Sequence, residues 1–181
     1  MHEGRLTAVV EGAICGALAF RPVAPLPDDL VLHPLNGKET TLADQLTLFH
    51  LVVVVLDPFT YESSWLLETA GRILENFAGA DCRAAFVVTC DEAGARDFLG
   101  PWVDRLMVFL DADRTFTKTL GVHELPAFVH LAMDRTIAGK AEGWDPETWR
   151  PIAENLADVM SWSRPQIPKA GDPVPYEGTA V

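Results

Sequence analysis

Thiols are the most reactive groups in this 181-residue chain, and there are three: Cys15, Cys82 and Cys90. An odd count, with no Cys-x-x-Cys pair and no metal-ligand spacing, argues for reduced sulfur rather than a bridge or a metal centre. Cys82 and Cys90 flank the strand-like run Arg83 to Thr89. Extended chain of that length covers about 26 Å, whereas a disulfide needs Cα atoms within about 7 Å. Cys90 is the candidate nucleophile. Asp91 and Glu92 follow it directly, and neighbouring negative charge raises a thiol pKa. The blander account of Cys90 is a small buried residue at a strand end.

Other side chains could do acid–base chemistry. His123, with Asp57 or Glu62 near it, could move protons. Thr60 or Ser63 with His123 and Asp57 could be drawn as a hydrolytic triad. Such triads are recognised by geometry and not by order, and no spacing in the chain supports this one. A solvated loop histidine is the plainer reading. Asp111 and Asp113 with Asp91 suggest a cation site, yet short acidic turns usually spend their carboxylates on local backbone amides. The five tryptophans, Trp65, Trp102, Trp144, Trp149 and Trp162, read as core and rim packing. Trp65 is the one best placed to line a cleft.

These residues need a frame, and composition bounds it. With 49% hydrophobic residues the chain is long enough for one domain with a real core. The net charge of −12, from 26 acidic and 14 basic side chains, repels phosphate backbones and anionic lipid, so neither nucleic acid nor a membrane surface is an expected partner. The acidic excess is spread along the sequence as on an ordinary soluble, bacterial-type surface. The apolar stretch Ala8 to Phe20 contains Glu11 and falls short of the roughly 20 apolar residues a membrane helix needs. Ala17-Leu-Ala19 has the form of a cleavage site, but Glu11 interrupts the apolar run and Glu3 offsets Arg5, so a cytoplasmic protein is expected.

Periodicity supplies the elements. Leu30 to His33 and Thr40 to Leu42 form a hairpin around Asn36-Gly37, and Ala43 to Leu46 a helical turn. Leu48 to Leu56 is too continuously apolar for a sheet with one wet face, so it predicts a central strand covered on both sides. From Ser64 the apolar period becomes helical, through Leu66, Leu67, Ala70, Ile73, Leu74 and Phe77, with Ser63 or Ser64 as the cap. Ala84 to Thr89 is a second buried strand, followed by a helix from Glu92 capped by Asp91. Leu106 to Leu110 is a third strand, and Phe116 to Leu120 a short helix. Ala127 to Met133 pairs with Thr136 to Glu142, and Asp145-Pro146 opens the last helix. Residues 1–24 read as an N-terminal extension, 25–163 as the domain, and 164–181 as a loosely ordered, proline-rich tail.

The order of these elements, together with Gly121-Val122-His123-Glu124-Leu125-Pro126-Ala127-Phe128-Val129, resembles the thioredoxin-like superfamily. More closely it resembles the redoxin branch of alkyl hydroperoxide reductase/thiol-specific antioxidant proteins. Asp111-Ala-Asp113-Arg114, Pro25-Leu-Pro27 and Asn36-Gly37-Lys38 fit the same likeness, which runs from about Pro25 to Ser161. It implies an α/β thioredoxin-like three-layer fold, a central mixed sheet flanked by helices, with Pro126 cis and facing a thiol loop. By this correspondence Thr60 and Ser63 stand where the family carries its two cysteines. An aliphatic hydroxyl keeps its proton and forms no disulfide, so this loop cannot exchange disulfides or attack peroxide.

The resemblance places Cys90 on the same sheet edge as that loop. It also implies that extended peptides lie beside the cis proline, a mode that needs main-chain groups and not sulfur. Two expectations follow. The first is a redox-inactive, non-catalytic binding protein that holds a peptide, protein partner or small ligand at Thr60, Tyr61, Ser63, Trp65, Leu125 and Pro126. The second is a thiol-dependent oxidoreductase, peroxiredoxin-like, acting through Cys90. Neither implies a cofactor or metal, and a homodimer is left open.

Overall fold

The computed structural model describes residues 24–181. Cys15, the apolar stretch Ala8 to Phe20 and nearly all of the expected N-terminal extension lie outside the described residues.

Seven strands form one sheet: β1 (Val31–Pro34), β2 (Thr40–Thr41), β3 (His50–Leu56), β4 (Cys82–Val88), β5 (Met107–Leu110), β7 (Ala127–Leu131) and β8 (Ile137–Glu142). Their spatial order is β2-β1-β5-β4-β3-β7-β8. β3, β4 and β5 run parallel, while on the far side of β3 the strand β7 runs antiparallel to it and β8 antiparallel to β7. A separate two-stranded ladder joins β6 (Glu124–Leu125) to β9 (Thr179–Ala180). The helices are α1 (Leu42–Leu46), α2 (Tyr61–Phe77), α3 (Glu92–Leu99), α4 (Thr115–Thr119) and α5 (Pro146–Val159).

The unbroken apolar run in β3 has the expected cause, because the strand is covered on both faces. Val52, Val54 and Leu56 enter a core shared with Leu66, Ile73 and Phe77 of α2 and Trp149 and Leu156 of α5. Leu51, Val53 and Val55 enter the opposite core, with Leu42 and Leu46 of α1 and Phe116 of α4. Two cores on either side of one mixed sheet make the three-layer α/β architecture. Trp144 and Trp149 are fully buried, and Trp102 is buried beside Phe86.

Two local expectations are corrected. The long helix begins at Tyr61 rather than Ser64, and its cap is Thr60, neither Ser63 nor Ser64. Thr60 has extended backbone, φ −115° and ψ 144°, and its Oγ1 accepts the Ser63 amide. The second correction is larger. Residues 164–181 are not loose but packed along the domain. Arg72 of α2 grips the carboxylate of Asp172 with two bonds of 2.9 and 2.8 Å and also donates to the Gln166 carbonyl. Ile167 is buried, and the Trp144 indole donates to the Pro173 carbonyl at 2.9 Å. Composition misleads here because the prolines remove helix and sheet options without preventing a polar chain from being bonded to a folded surface.

Candidate functional site

The loop at the carboxyl end of β3 is closed on itself. The Asp57 amide donates to Ser63 Oγ at 2.9 Å, and Thr60 Oγ1 lies 3.0 Å from both the Asp57 carbonyl and Ser63 Oγ. Asp57 Oδ1 accepts the Phe59 amide at 2.9 Å, and Oδ2 accepts Arg114 Nη2 at 2.8 Å. Ser63 is wholly buried and Asp57 nearly so. Thr60 and Ser63 therefore turn inward as cap and brace, and neither hydroxyl meets a base. His123 is exposed, and no hydrogen bond joins its ring to Asp57, Thr60 or Ser63 among the described residues. Its backbone is used instead: its amide donates to Glu142, and its carbonyl accepts from Val181. The triad drawn from the sequence is not assembled.

The aspartates proposed as cation ligands are spent as expected of a turn. Asp111 accepts the Phe116 and Thr117 amides, Asp113 the Thr115 amide, and Asp91 the Gly94 amide.

What the loop presents outward is aromatic. Phe59, Tyr61 and Trp65 are more than half exposed. Tyr61 and Trp65 stack at 6.4 Å, and Trp65 meets the edge of Tyr176 at 5.7 Å. Opposite, Leu125 and Pro126 are buried and their peptide bond is cis. Of the residues proposed for this edge, Tyr61 and Trp65 lie on the surface, whereas Thr60, Ser63, Leu125 and Pro126 form its floor and frame. The outer backbone of Glu124 and Leu125 is paired with β9. Sequence reasoning missed three residues of this region. Arg114, held in the left-handed conformation at φ 60°, neutralises Asp57. Tyr176 and Gly178 come from the tail, and the sole signal for them was one aromatic in a proline-rich stretch.

Cys90 does lie near this edge, but shut in. It is 5% exposed, and its thiol donates to the Asp91 carbonyl at 3.3 Å. Burial first, then the charges of Asp91 and Asp57, push it up to about 11. Cys82, at the opposite end of β4, is pushed to about 11 by burial and Asp81. The sequence anticipated the direction for Cys90 but credited Asp91 and Glu92; desolvation leads, and the second carboxylate acting on it is Asp57. That far end of the sheet also holds an imidazole pair, half-buried His50 Nδ1 and buried His130 Nε2 at 2.8 Å. Burial, then the nearby His50, pushes His130 down to about 4. The pair stands at the start of β3, a strand length from the loop.

No family model and no curated protein matches this chain. Solved structures do. A hypothetical protein from Sinorhizobium meliloti 1021 superposes with a TM-score of 0.63 at 16% identity, covering 88% of this chain and 93% of its own. Xanthomonas campestris peroxiredoxin Q superposes at 0.58 and 16% identity, covering 75% and 94%. A secreted Mycobacterium tuberculosis disulfide oxidoreductase superposes at 0.50 and 18% identity, covering 61% and 81%.

The fold is thioredoxin-like. At these identities the likeness establishes architecture alone. The neighbours with named activities are a disulfide oxidoreductase and a peroxiredoxin, and these likenesses give the non-catalytic binding expectation no support. Among the described residues no helix is long and apolar enough to cross a membrane. The oxidoreductase is described as secreted, so the expected cytoplasmic location gains nothing from the relatives.

Proposed function

We propose that this redoxin-fold protein recognises extended polypeptide at the edge formed by Tyr61, Trp65, Leu125 and Pro126, and that its loop carries out no thiol chemistry. One observation carries the reading: an extended segment, β9, pairs with the backbone of Glu124–Leu125 immediately before Pro126. Strand addition of this kind draws its affinity from main-chain hydrogen bonds and its selectivity from side-chain pockets. Thr60 and Ser63 support the negative half, since both hydroxyls are engaged in bracing the loop.

The activities of the neighbours favour a second reading, a thiol oxidoreductase acting through Cys90. In it the Cys90 thiol would give up its proton and the thiolate would take the terminal OH of a hydroperoxide, forming a sulfenic acid as the O–O bond breaks and the leaving alkoxide takes up that proton to depart as an alcohol. A thiol reductant would then supply two electrons to restore the thiol with loss of water. Against it stands a buried sulfur whose pKa lies near 11.

Peroxide consumption and disulfide reduction, driven by dithiothreitol, separate the two readings in the native protein and Cys90→Ser. The binding reading expects both proteins to match the buffer rate. Turnover in the native protein that disappears in Cys90→Ser overturns it and establishes the second. For the edge, Tyr61→Ala combined with Trp65→Ala should weaken binding to an extended-peptide array about tenfold or more. Unchanged binding removes those two side chains from the site.

A further inference from the structure

The segment lying on the Glu124–Leu125 edge is the chain's own tail, and its fit is specific. Glu124 pairs with Ala180 and Leu125 with Thr179, and the Val181 amide donates to the His123 carbonyl at 2.9 Å. Four residues upstream of Ala180, Tyr176 exchanges two backbone bonds of 2.9 Å with Trp144. Its hydroxyl donates to the Glu62 carbonyl at 2.6 Å, and its ring stands against Trp65.

Gly178 makes the closest approach. A Cβ built there would sit 2.8 Å from the Glu124 Cβ and 2.9 Å from the Leu125 carbonyl oxygen, a space no side chain can enter. The edge has its own glycine for the same purpose: Gly143, at φ +67°, would put a Cβ 2.8 Å from the Tyr176 carbonyl oxygen. Val181 packs onto the buried cluster that includes Leu125 and Val122.

Resting on the reading above, we propose that this edge is a peptide-selective site whose resident occupant is residues 176–181. Its selectivity is for an extended segment with an aromatic residue, glycine two positions later, and an aliphatic residue three positions beyond that. A partner protein presenting that spacing would compete with the tail.

Two features make exchange feasible. The ladder is only two residues long on each strand, and isolated two-stranded pairings are marginal in water. The tail is separately anchored upstream through Arg72 and Asp172, so the last six residues can leave the edge while the rest stays bound. Because the tail is tethered, its effective concentration is of millimolar order, and the native protein should bind a competitor only weakly.

The experiment uses the full chain, native and Gly178→Val, with a labelled synthetic peptide of sequence Val174 to Val181. A second peptide carries valine in place of Gly178, and a third has the first peptide's composition in scrambled order. Hydrogen exchange of residues 179–181 reports whether the tail has left, and exchange in β3 reports whether the core is intact. The expected result is a free tail with an unchanged core in Gly178→Val. That variant should bind the first peptide at least about tenfold tighter than the native chain does, and should bind neither of the others.

Retained protection of residues 179–181 in Gly178→Val overturns the requirement for glycine, and with it the inference. Equal binding of all three peptides by the freed edge overturns the selectivity while leaving the peptide-binding function standing. Failure of the freed edge to bind any extended peptide, these or those of the array, overturns both.

Discussion

The loop Asp57–Thr60 with the first turn of α2 through Trp65, and the tail 164–181, both lack strand structure over most of their length, yet they are held by different means. The loop is bonded to itself. Its amide, hydroxyl and carboxylate partners lie mostly two to six residues apart, and its distant bonds among the described residues are Arg114 to Asp57 and the Tyr176 hydroxyl to the Glu62 carbonyl. The tail is bonded largely to residues distant in the chain: Asp172 to Arg72 and Thr69, Gln166 to Arg72, Pro173 to Trp144, Tyr176 to Glu62 and Trp144, and Thr179–Ala180 to Glu124–Leu125. A segment closed by local bonds is rigid before it meets a ligand. One held by a few remote bonds can be released in part, which suits it to occupy an edge that a partner also uses.

The sharpest way to break this contrast is Arg72→Ala. It leaves the nearly buried Asp172 carboxylate without its cation, and removing one partner of such a pair should cost about 3 kcal/mol. Denaturant melts would read the loss, and limited proteolysis should show the tail nicked while the loop stays resistant. A tail as protected as in the native chain would mean that the ion pair is not its anchor.

Cys90 measures how closed the loop end is. With its pKa pushed from an ordinary 9.0 to about 11, its thiolate population at neutral pH is lower by about 100-fold, equivalent to about 2.7 kcal/mol. Alkylation by iodoacetamide, followed residue by residue in the mass spectrum, should be slower than for a model thiol by at least that factor. The rate should rise about tenfold per pH unit as the thiol deprotonates. A fast reaction at pH 7 would show an open, activated thiol and revive the oxidoreductase reading.

Ser63→Ala removes the acceptor of the buried Asp57 amide. An orphaned buried donor costs about 2 kcal/mol, so the melting midpoint should fall while exchange protection in the tail is unchanged. Tail protection that fell in step would deny the independence of the two regions. The smallest effect is expected from Thr60→Ala, loss of a helix cap worth about 1 kcal/mol. A change much above that value would assign Thr60 a role beyond capping.

Much of the scaffold was legible because its signals are local. The unbroken apolar run Leu51–Leu56 could be accommodated only by a strand covered on both faces, and Asp91 and Asp145 announced their helices by chemistry acting within three residues. The carboxyl-edge position of the loop followed from the same order of elements. The start of α2 was misplaced because Ser63 and Ser64 offer the same capping chemistry as Thr60, the cap the structure uses, within five residues. Extended backbone at Thr60 chose among them, and dihedral angles are not written in residue types. Tyr61 and Trp65 were assigned to this edge from their place after a strand, and both lie on the surface there. Arg114, Tyr176 and Gly178 were not, because nothing near them in the chain marks what they touch.

The sequence by itself determined the layered α/β frame and the lack of sulfur in the loop, since apolar periodicity and residue identity are properties of adjacent positions. It also determined that a thiol flanked by acidic residues would resist ionisation. Only the tertiary structure decided that burial outweighs those acidic neighbours, that the loop hydroxyls face inward, and that the tail returns to lie beside Pro126. Each of these depends on which distant groups share a volume once the chain has collapsed, and desolvation and strand pairing arise only in that shared volume.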